Sequence, residues 1–276
     1  MSITAADVKK LRDVTGVGMM ECKKALTESN GDFDAAIDLL RTKGQKVAAK
    51  RADRDAKEGV IATGSTANGK TAILVEVNCE TDFVARNDDF QAFANELAEL
   101  VLATLPADRD AFLVTKMKDG QSVTDALIAM TGKIGEKIDV RRTEVMTSAD
   151  GKVVSYIHPG ARLGVLVDMS GAGDLEVAGR DVAMQVAALN PISTSRDEVP
   201  QDIKDHEMKI AADQAREEGK PEQLVERIAT GKLERYYKDY VLLEQPFVKD
   251  SSSSVGDMLK GAKAAVKTFT RFALGE

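Results

Sequence analysis

The first 44 residues carry apolar side chains at helical spacing. Val8 and Leu11 mark a first short helix, which Thr4 can cap and the glycines of TGVG (15–18) end. Cys22, Ala25 and Leu26 share one side of a second, stopped by Asn30 and Gly31. Asp32 is an N-cap for a third, whose stripe Phe33, Ile37 and Leu40 falls at i, i+4 and i+7; Gly44 is its expected end. Three helices in ~40 residues make a minimal bundle with little room for a pocket, the anatomy of a recognition module. The charged stretch QKVAAKRADRDAKEG (45–59) reads as a helical, solvated connector, with contact to RNA or an acidic partner as the alternative.

From Gly59 the period changes to two. GVIATGSTANGKTAILVEVN holds two β-rich runs around a TANGK turn and predicts a hairpin. A helix follows, with Phe90, Phe93, Ala94, Leu97 and Val101 at helical spacing, then a second in SVTDALIAMTGKIGE and a strand in EKIDVRRTEVMT. GKVVSYIHPGARLGVLVDMS (151–170) repeats the hairpin without a gap at an offset of 92 residues, so that Val165, Leu166 and Val167 fall on Ile73, Leu74 and Val75, and Asp168 on Glu76. A helix again follows, AGRDVAMQVAALNP. The repeat predicts two related hairpin-plus-helix units in an α+β fold. The two copies part in one loop: NCETDFVARND in the first, SGAGDLEVAG in the second.

Beyond Pro191 the apolar stripe thins to Ile203, Ile210, Ala211 and Ala215 on one arm and Leu224, Ile228 and Ala229 on the other, joined by EGKP. That pattern predicts a projecting antiparallel coiled-coil hairpin, which can pair with a second copy or stand alone. VLLEQPFVKD is expected to return as an edge strand, SSSSVGDMLKGA to supply a polar loop and short helix, and VKTFTRFALGE to form a final strand. The expected division is a three-helix domain with its linker over 1–54, a first core unit over 55–150, a second over 151–191 and 236–276, and the coiled coil inserted at 192–235.

Composition narrows the function classes. A net charge of −7 argues against a general nucleic-acid coat. Two distant cysteines with no C-x-x-C spacing imply neither a disulfide framework nor a zinc site, and point to reduced thiols. The start of the chain has no apolar leader, and no run reaches the ~18–20 apolar residues of a membrane span, so a cytoplasmic protein is expected. No Walker-type glycine loop is present, so the chain is not expected to bind nucleotide itself.

NCETDFVARND (78–88) offers the sharpest chemistry. Glu80, Asp82, Asp88 and Asp89 are hard oxygen ligands, but their spacing is not that of a calcium loop. As an acid/base pair, Glu80 and Asp82 lack any His, Ser or Lys companion. His206 lies on a polar helix arm, and His158 at a hairpin turn beside Pro159 and Gly160, where a surface contact fits. Phe83 is left as either a core residue or an apolar anchor for another protein. Its flanks, Glu80-Thr81-Asp82 and Arg86-Asn87-Asp88, are polar and hard to bury, which favours the anchor.

TDFVARND, preceded by LVEVNCE, resembles the signature segment of the bacterial elongation factor Ts family. LRDVTGVGMMECKKALTESNGDFDAAIDLLRTKG is similar to that family's ubiquitin-associated (UBA)-like N-terminal domain. KIGEKIDVRR, YIHPGARLGVLV, GKPEQLVERIATGKLERYYKD and LLEQPFV are similar to later motifs, in family order, so the resemblance covers nearly the whole chain. It implies guanine-nucleotide exchange on elongation factor Tu during translation elongation, with no cofactor and no covalent chemistry. Thr81, Asp82, Phe83 and Val84 would enter the GTPase near its Mg²⁺ site, Phe83 wedging between partner side chains and Asp82 drawing on a helix, and GDP would leave. The N-terminal domain would dock on the GTPase domain through Val17 and Lys24, and Ile134, Gly135, His158, Phe247 and Val248 would make further contacts. Two departures stand out: the proline beside His158, and a chain that ends soon after FTRFALGE where some members continue into a helical module. The competing readings are a metal-dependent hydrolase using Glu80, Asp82 and Asp88, and a coiled-coil adaptor without exchange activity.

Overall fold

The computed structural model describes residues 3–276. Helices α1 (Ala5–Thr15), α2 (Met19–Glu28) and α3 (Phe33–Arg51) enclose a small core of Val8, Leu11, Cys22, Ala25, Leu26, Ala36 and Leu40. Thr4 caps α1 in a reciprocal bond with Asp7, and Gly16, at φ +66°, closes it. Gly44 does not end α3. It sits where α3 crosses a later helix at Gly132, and it is Gly132 that has no room for a side chain there, since a Cβ on it would overlap the Gly44 backbone. The first half of the charged connector is therefore the last turns of α3 rather than a separate linker.

Strands β1 (Glu58–Ser65) and β2 (Thr71–Cys79) form the first hairpin. After it come a single helical turn α4 (Asp82–Ala85), helix α5 (Asp88–Thr104), the short α6 (Arg109–Leu113), α7 (Val123–Ile134) and strand β3 (Asp139–Thr147), which pairs with β2. The second hairpin is β4 (Lys152–Ile157) and β5 (Leu163–Gly171), followed by α8 (Leu175–Leu189). Its third strand arrives last, as β8 (Ala264–Ala273) pairing with β5. Both of these sheets are three-stranded and antiparallel, each with the second strand of its own hairpin in the middle.

The offset of 92 residues holds in detail. β2 and β5 coincide end to end, and both carry a bulge at the matching place, Glu76/Val77 and Asp168/Met169. At the start of each hairpin a glycine, Gly59 or Gly151, lies against the carbonyl just past that bulge, where a Cβ would overlap it.

The two sheets pack face to face, with α5 on one outside and α8 on the other. Ile73, Val75 and Val77 point to α5, Phe90, Leu97 and Val101, while Val165, Val167 and Met169 point to α8. The alternate residues Leu74 and Leu166 meet between the sheets with Ile61, Val153 and Phe272. With both faces covered, the central strands read as near-continuous apolar runs. Glu76, fully buried between the sheets, is held by Arg142 Nε at 2.7 Å and by Asn78; Arg142 also donates to the Ala273 carbonyl and lies over the Phe272 ring, which joins the two sheets.

Helices α9 (Gln201–Glu217) and α10 (Glu222–Tyr240) make the antiparallel hairpin. Its second arm runs five residues past the expected limit at 235. The buried seam is Ala211, Ala215, Val225 and Ala229, with Tyr237 nearer the base. Val225 replaces the expected Leu224, which is exposed together with Ile210. Arg196 ties the base to Glu234 and Glu244.

VLLEQPFVKD is not an edge strand of either main sheet. It makes a tight turn over Leu242–Glu244 and the two-residue β6 (Pro246–Phe247), which pairs only with β7 (Asp250–Ser254) before α11 (Val255–Gly261). Gln185 of α8 commits this segment: its amide donates to Gln245 and to the Pro246 carbonyl and accepts from the Val248 N–H.

Candidate functional site

The five extra residues that separate β2 from α5, compared with β5 from α8, contain the turn α4. The polar run on either side of Phe83 predicts a solvent-facing loop here. Instead Thr81 caps a helical turn, its hydroxyl accepting from the Val84 N–H, and Asn87 caps α5 immediately afterwards. The turn is amphipathic on its own small scale. Val84 packs on the first core and Ala85 is buried in it, while Phe83 is 81% exposed. The core alternative for Phe83 is thereby removed.

Three of the four candidate carboxylates, Glu80, Asp82 and Asp89, are engaged with cationic or N–H partners. Glu80 accepts a paired contact from Arg51, at 2.7 and 2.9 Å, and the Lys137 N–H at 2.7 Å. Its partial burial works against ionisation, but these donors outweigh that and hold its acidity below the ordinary glutamate value. Asp82 pairs with Arg86 one turn on, at 2.8 Å. Among the described residues no three His, Cys, Asp or Glu side chains converge as a metal site. Cys79 is buried and donates to the Thr81 carbonyl; burial, with the Glu136 charge nearby, pushes its thiol up to about 12.

Ile134 and Gly135 come directly beside this turn. Gly135, at φ +86°, ends α7, and the next residue, Glu136, accepts both the Thr81 N–H (3.0 Å) and the Thr81 hydroxyl (2.8 Å). Neighbouring Lys133 passes against Gly16 in the loop that carries Val17 and pairs with Asp89 at 2.8 Å. Lys137 Nζ donates to the carbonyls of Ala52 and Arg54, closing the end of α3. The helix-ending segment 133–137 thus joins the three-helix domain to the Phe83 turn. Its charged members were missed by sequence reasoning; their one visible signal is their place around a helix-terminating glycine.

Across a cleft of about 640 Å³ from Asp82, Ala85 and Arg86 stands the β4–β5 turn. Ile157, Gly160, Ala161 and Arg162 line that wall; Arg162 pairs with Glu58, and the Ala161 carbonyl accepts the Ile61 N–H. His158 is exposed on this turn, its Nδ1 2.9 Å from the Tyr156 hydroxyl. His206 is exposed on α9, far from any of these groups in sequence and in no cluster with them.

Other expected contact residues stand apart. Val17 is half-buried against the three-helix core, and Lys24 is exposed and paired with Glu21. Around them Val14, Met19 and Met20 expose apolar surface that periodicity alone did not single out. Phe247 is only 7% exposed and belongs to the second core. The accessible apolar residue of that segment is Val248, at 46%.

A family model described as "Elongation factor TS" matches residues 80–276. The chain is 50% identical to an elongation factor Ts of Chloroherpeton thalassium over 285 residues, covering 99% of both chains. It is 48% identical to one of Prosthecochloris aestuarii, again over 99% of both. It is 45% identical to one of Thioalkalivibrio sulfidiphilus, covering all of this chain and 93% of the relative. With an exposed aromatic on a capped turn, a two-unit α+β core and similarity of this extent, the chain belongs to the elongation factor Ts family.

Proposed function

We propose that this protein promotes release of guanine nucleotide from elongation factor Tu in translation elongation, and that it does so by binding rather than by covalent chemistry. The observation that carries the reading is Phe83: a large apolar ring, almost wholly in water, on a turn whose other side chains are tied down. A monomeric surface gains nothing from that arrangement, whereas a wedge for another protein's interior requires it.

The physics of exchange needs no catalytic acid or base. A GTPase holds its nucleotide chiefly by phosphate and Mg²⁺ contacts. A factor that binds the nucleotide-free form more tightly must, by linkage, weaken nucleotide binding by the same ratio. Thr81 to Val84 form the element proposed to disturb the Mg²⁺ site, with Phe83 as the wedge and Asp82 beside it. Ile134 and Gly135 and the His158 turn flank that element. The three-helix domain is proposed as the UBA-like docking module, using Val17 and Lys24 together with the exposed Val14 and Met20. Val248 is the proposed contact of the second unit, with Phe247 anchoring it from within.

Among the described residues no helix is long and apolar enough to cross a membrane. A cytoplasmic site of action without direct nucleic-acid contact fits the proposed partner. Self-association would use the exposed flanks of the α9–α10 hairpin. The deciding experiment follows release of a fluorescent GDP analogue from elongation factor Tu with and without this chain. Acceleration supports exchange, and its absence leaves the coiled-coil adaptor as the better reading.

A further inference from the structure

Phe83 is held in place by something other than packing of its own ring. A helical turn of four residues has no stability of its own, because nucleation is not repaid by so few hydrogen bonds. Two short segments hold it. Thr81 gives both of its donors to Glu136, the N–H to Oε2 at 3.0 Å and the hydroxyl to Oε1 at 2.8 Å. With the hydroxyl proton committed to Glu136, the oxygen's lone pairs are left for the Val84 N–H, at 3.4 Å, which is the cap of the turn. In return, Glu80 accepts the Lys137 N–H at 2.7 Å. Residues 80–81 and 136–137 thus exchange backbone N–H groups for each other's carboxylates, and charge-assisted bonds of this kind are the stronger ones.

We propose that this reciprocal bracket sets the direction in which Phe83 is presented, and that Glu136 is a positioning residue for nucleotide release. The proposal rests on the exchange reading above. Glu136 acts through Thr81 and the turn and touches no nucleotide. Gly135 explains its placement: the left-handed backbone after α7 swings the chain back so that the next side chain meets Thr81. If Glu136 is lost, the protein still docks through its other surfaces, but the ring is no longer pre-aimed, so the release step suffers more than affinity does.

The test uses the full chain carrying Glu136→Ala, titrated into elongation factor Tu loaded with a fluorescent GDP analogue. The maximal release rate should fall about ten- to a hundredfold, as expected for charged hydrogen bonds to a single group, while the half-saturating concentration stays within about threefold. Glu136→Gln should recover part of the rate, since its amide oxygen still accepts the Thr81 N–H. In a Phe83→Ala background, Glu136→Ala should cost nothing further, because the group it aims is gone. A second readout is independent of exchange. The chain has no tryptophan, so Phe83→Trp places a single indole on the turn, and Glu136→Ala should lower its fluorescence anisotropy. Full, multiplicative losses in the double variant, or unchanged anisotropy, would overturn the bracket. Should the unsubstituted chain fail to speed release, the exchange reading falls and the anisotropy alone decides the bracket. If Glu136→Ala does not fold, Glu136→Gln carries the same comparisons.

Discussion

Gly132 of α7 lies so close to Gly44 of α3 that a Cβ on Gly132 would fall 2.6 Å from the Gly44 Cα. This contact fastens the extended third helix of the N-terminal bundle to the core. Alanine favours a helix over glycine by about 1 kcal/mol, so an open site would gain from the change. At 132 the overlap with backbone wins, and Gly132→Ala should destabilise by roughly 1–3 kcal/mol through overpacking. Gly44→Ala meets its nearest atom at 3.6 Å and should be neutral or slightly stabilising. Thermal unfolding of the two variants checks this; a raised melting temperature for Gly132→Ala would refute the crossing.

Phe83→Ala should remove most exchange activity and leave stability alone. Truncating a central aromatic anchor costs on the order of 2–4 kcal/mol of binding, so release should slow at least about thirtyfold. The ring makes no core contact, so the melting temperature should stay within about 2 °C. Paired calorimetry and release kinetics separate the two effects.

The Arg51–Glu80 contact should make the joint between α3 and the turn sensitive to acid. Glu80 is more acidic folded than unfolded, so its contribution is complete above the ordinary glutamate value of 4.5 and is lost as pH falls through the lower, folded value. Glu80→Gln should therefore cost about 1 kcal/mol at neutral pH, after screening by solvent, and converge on the parent below that range. Urea midpoints for both proteins across the acid limb measure it; a gap that widens in acid would contradict the assignment.

Both cysteines are buried. With its thiol near 12, Cys79 carries almost no thiolate at neutral pH. An aromatic disulfide reagent should find no fast-reacting thiol in the native protein and two equivalents after denaturation. A rapid native equivalent would mean that the strand end at Cys79 opens readily.

Arg142→Met should be among the most damaging single changes in the core. It leaves buried Glu76 with only the Asn78 amide and a longer 3.8 Å contact from Arg141, and also removes the bond to Ala273, for a loss of about 3–5 kcal/mol. Adding Glu76→Gln should recover part of it, read by denaturant unfolding. An additive double variant would show that the pair is not coupled.

Much of this architecture was legible from residue order. The 92-residue offset carried the two hairpins and the helices after them, because each depends on local backbone geometry and period, whereas the matching bulges and the glycines beside them show only in the strand pairing. Gly44 was misread for the same reason. Locally, a glycine after a helical stripe signals an end, and only the partner Gly132, 88 positions away, shows that the glycine serves a crossing. VLLEQPFVKD has strand composition, yet the Gln185 amide, a single buried polar group on another helix, binds it as a turn.

Residue order alone places the helices of the N-terminal bundle, the two repeated β-hairpins, the helices that follow them, and the one loop in which the copies differ. These follow from periodicity, caps and turn residues, all short-range properties. It takes the folded chain to show that Phe83 faces water while Phe247 does not, and that Glu136 and Lys137 hold the turn from a segment more than 50 residues away. Exposure and long-range hydrogen bonds depend on which surfaces meet after the chain has folded, and no local pattern carries that information.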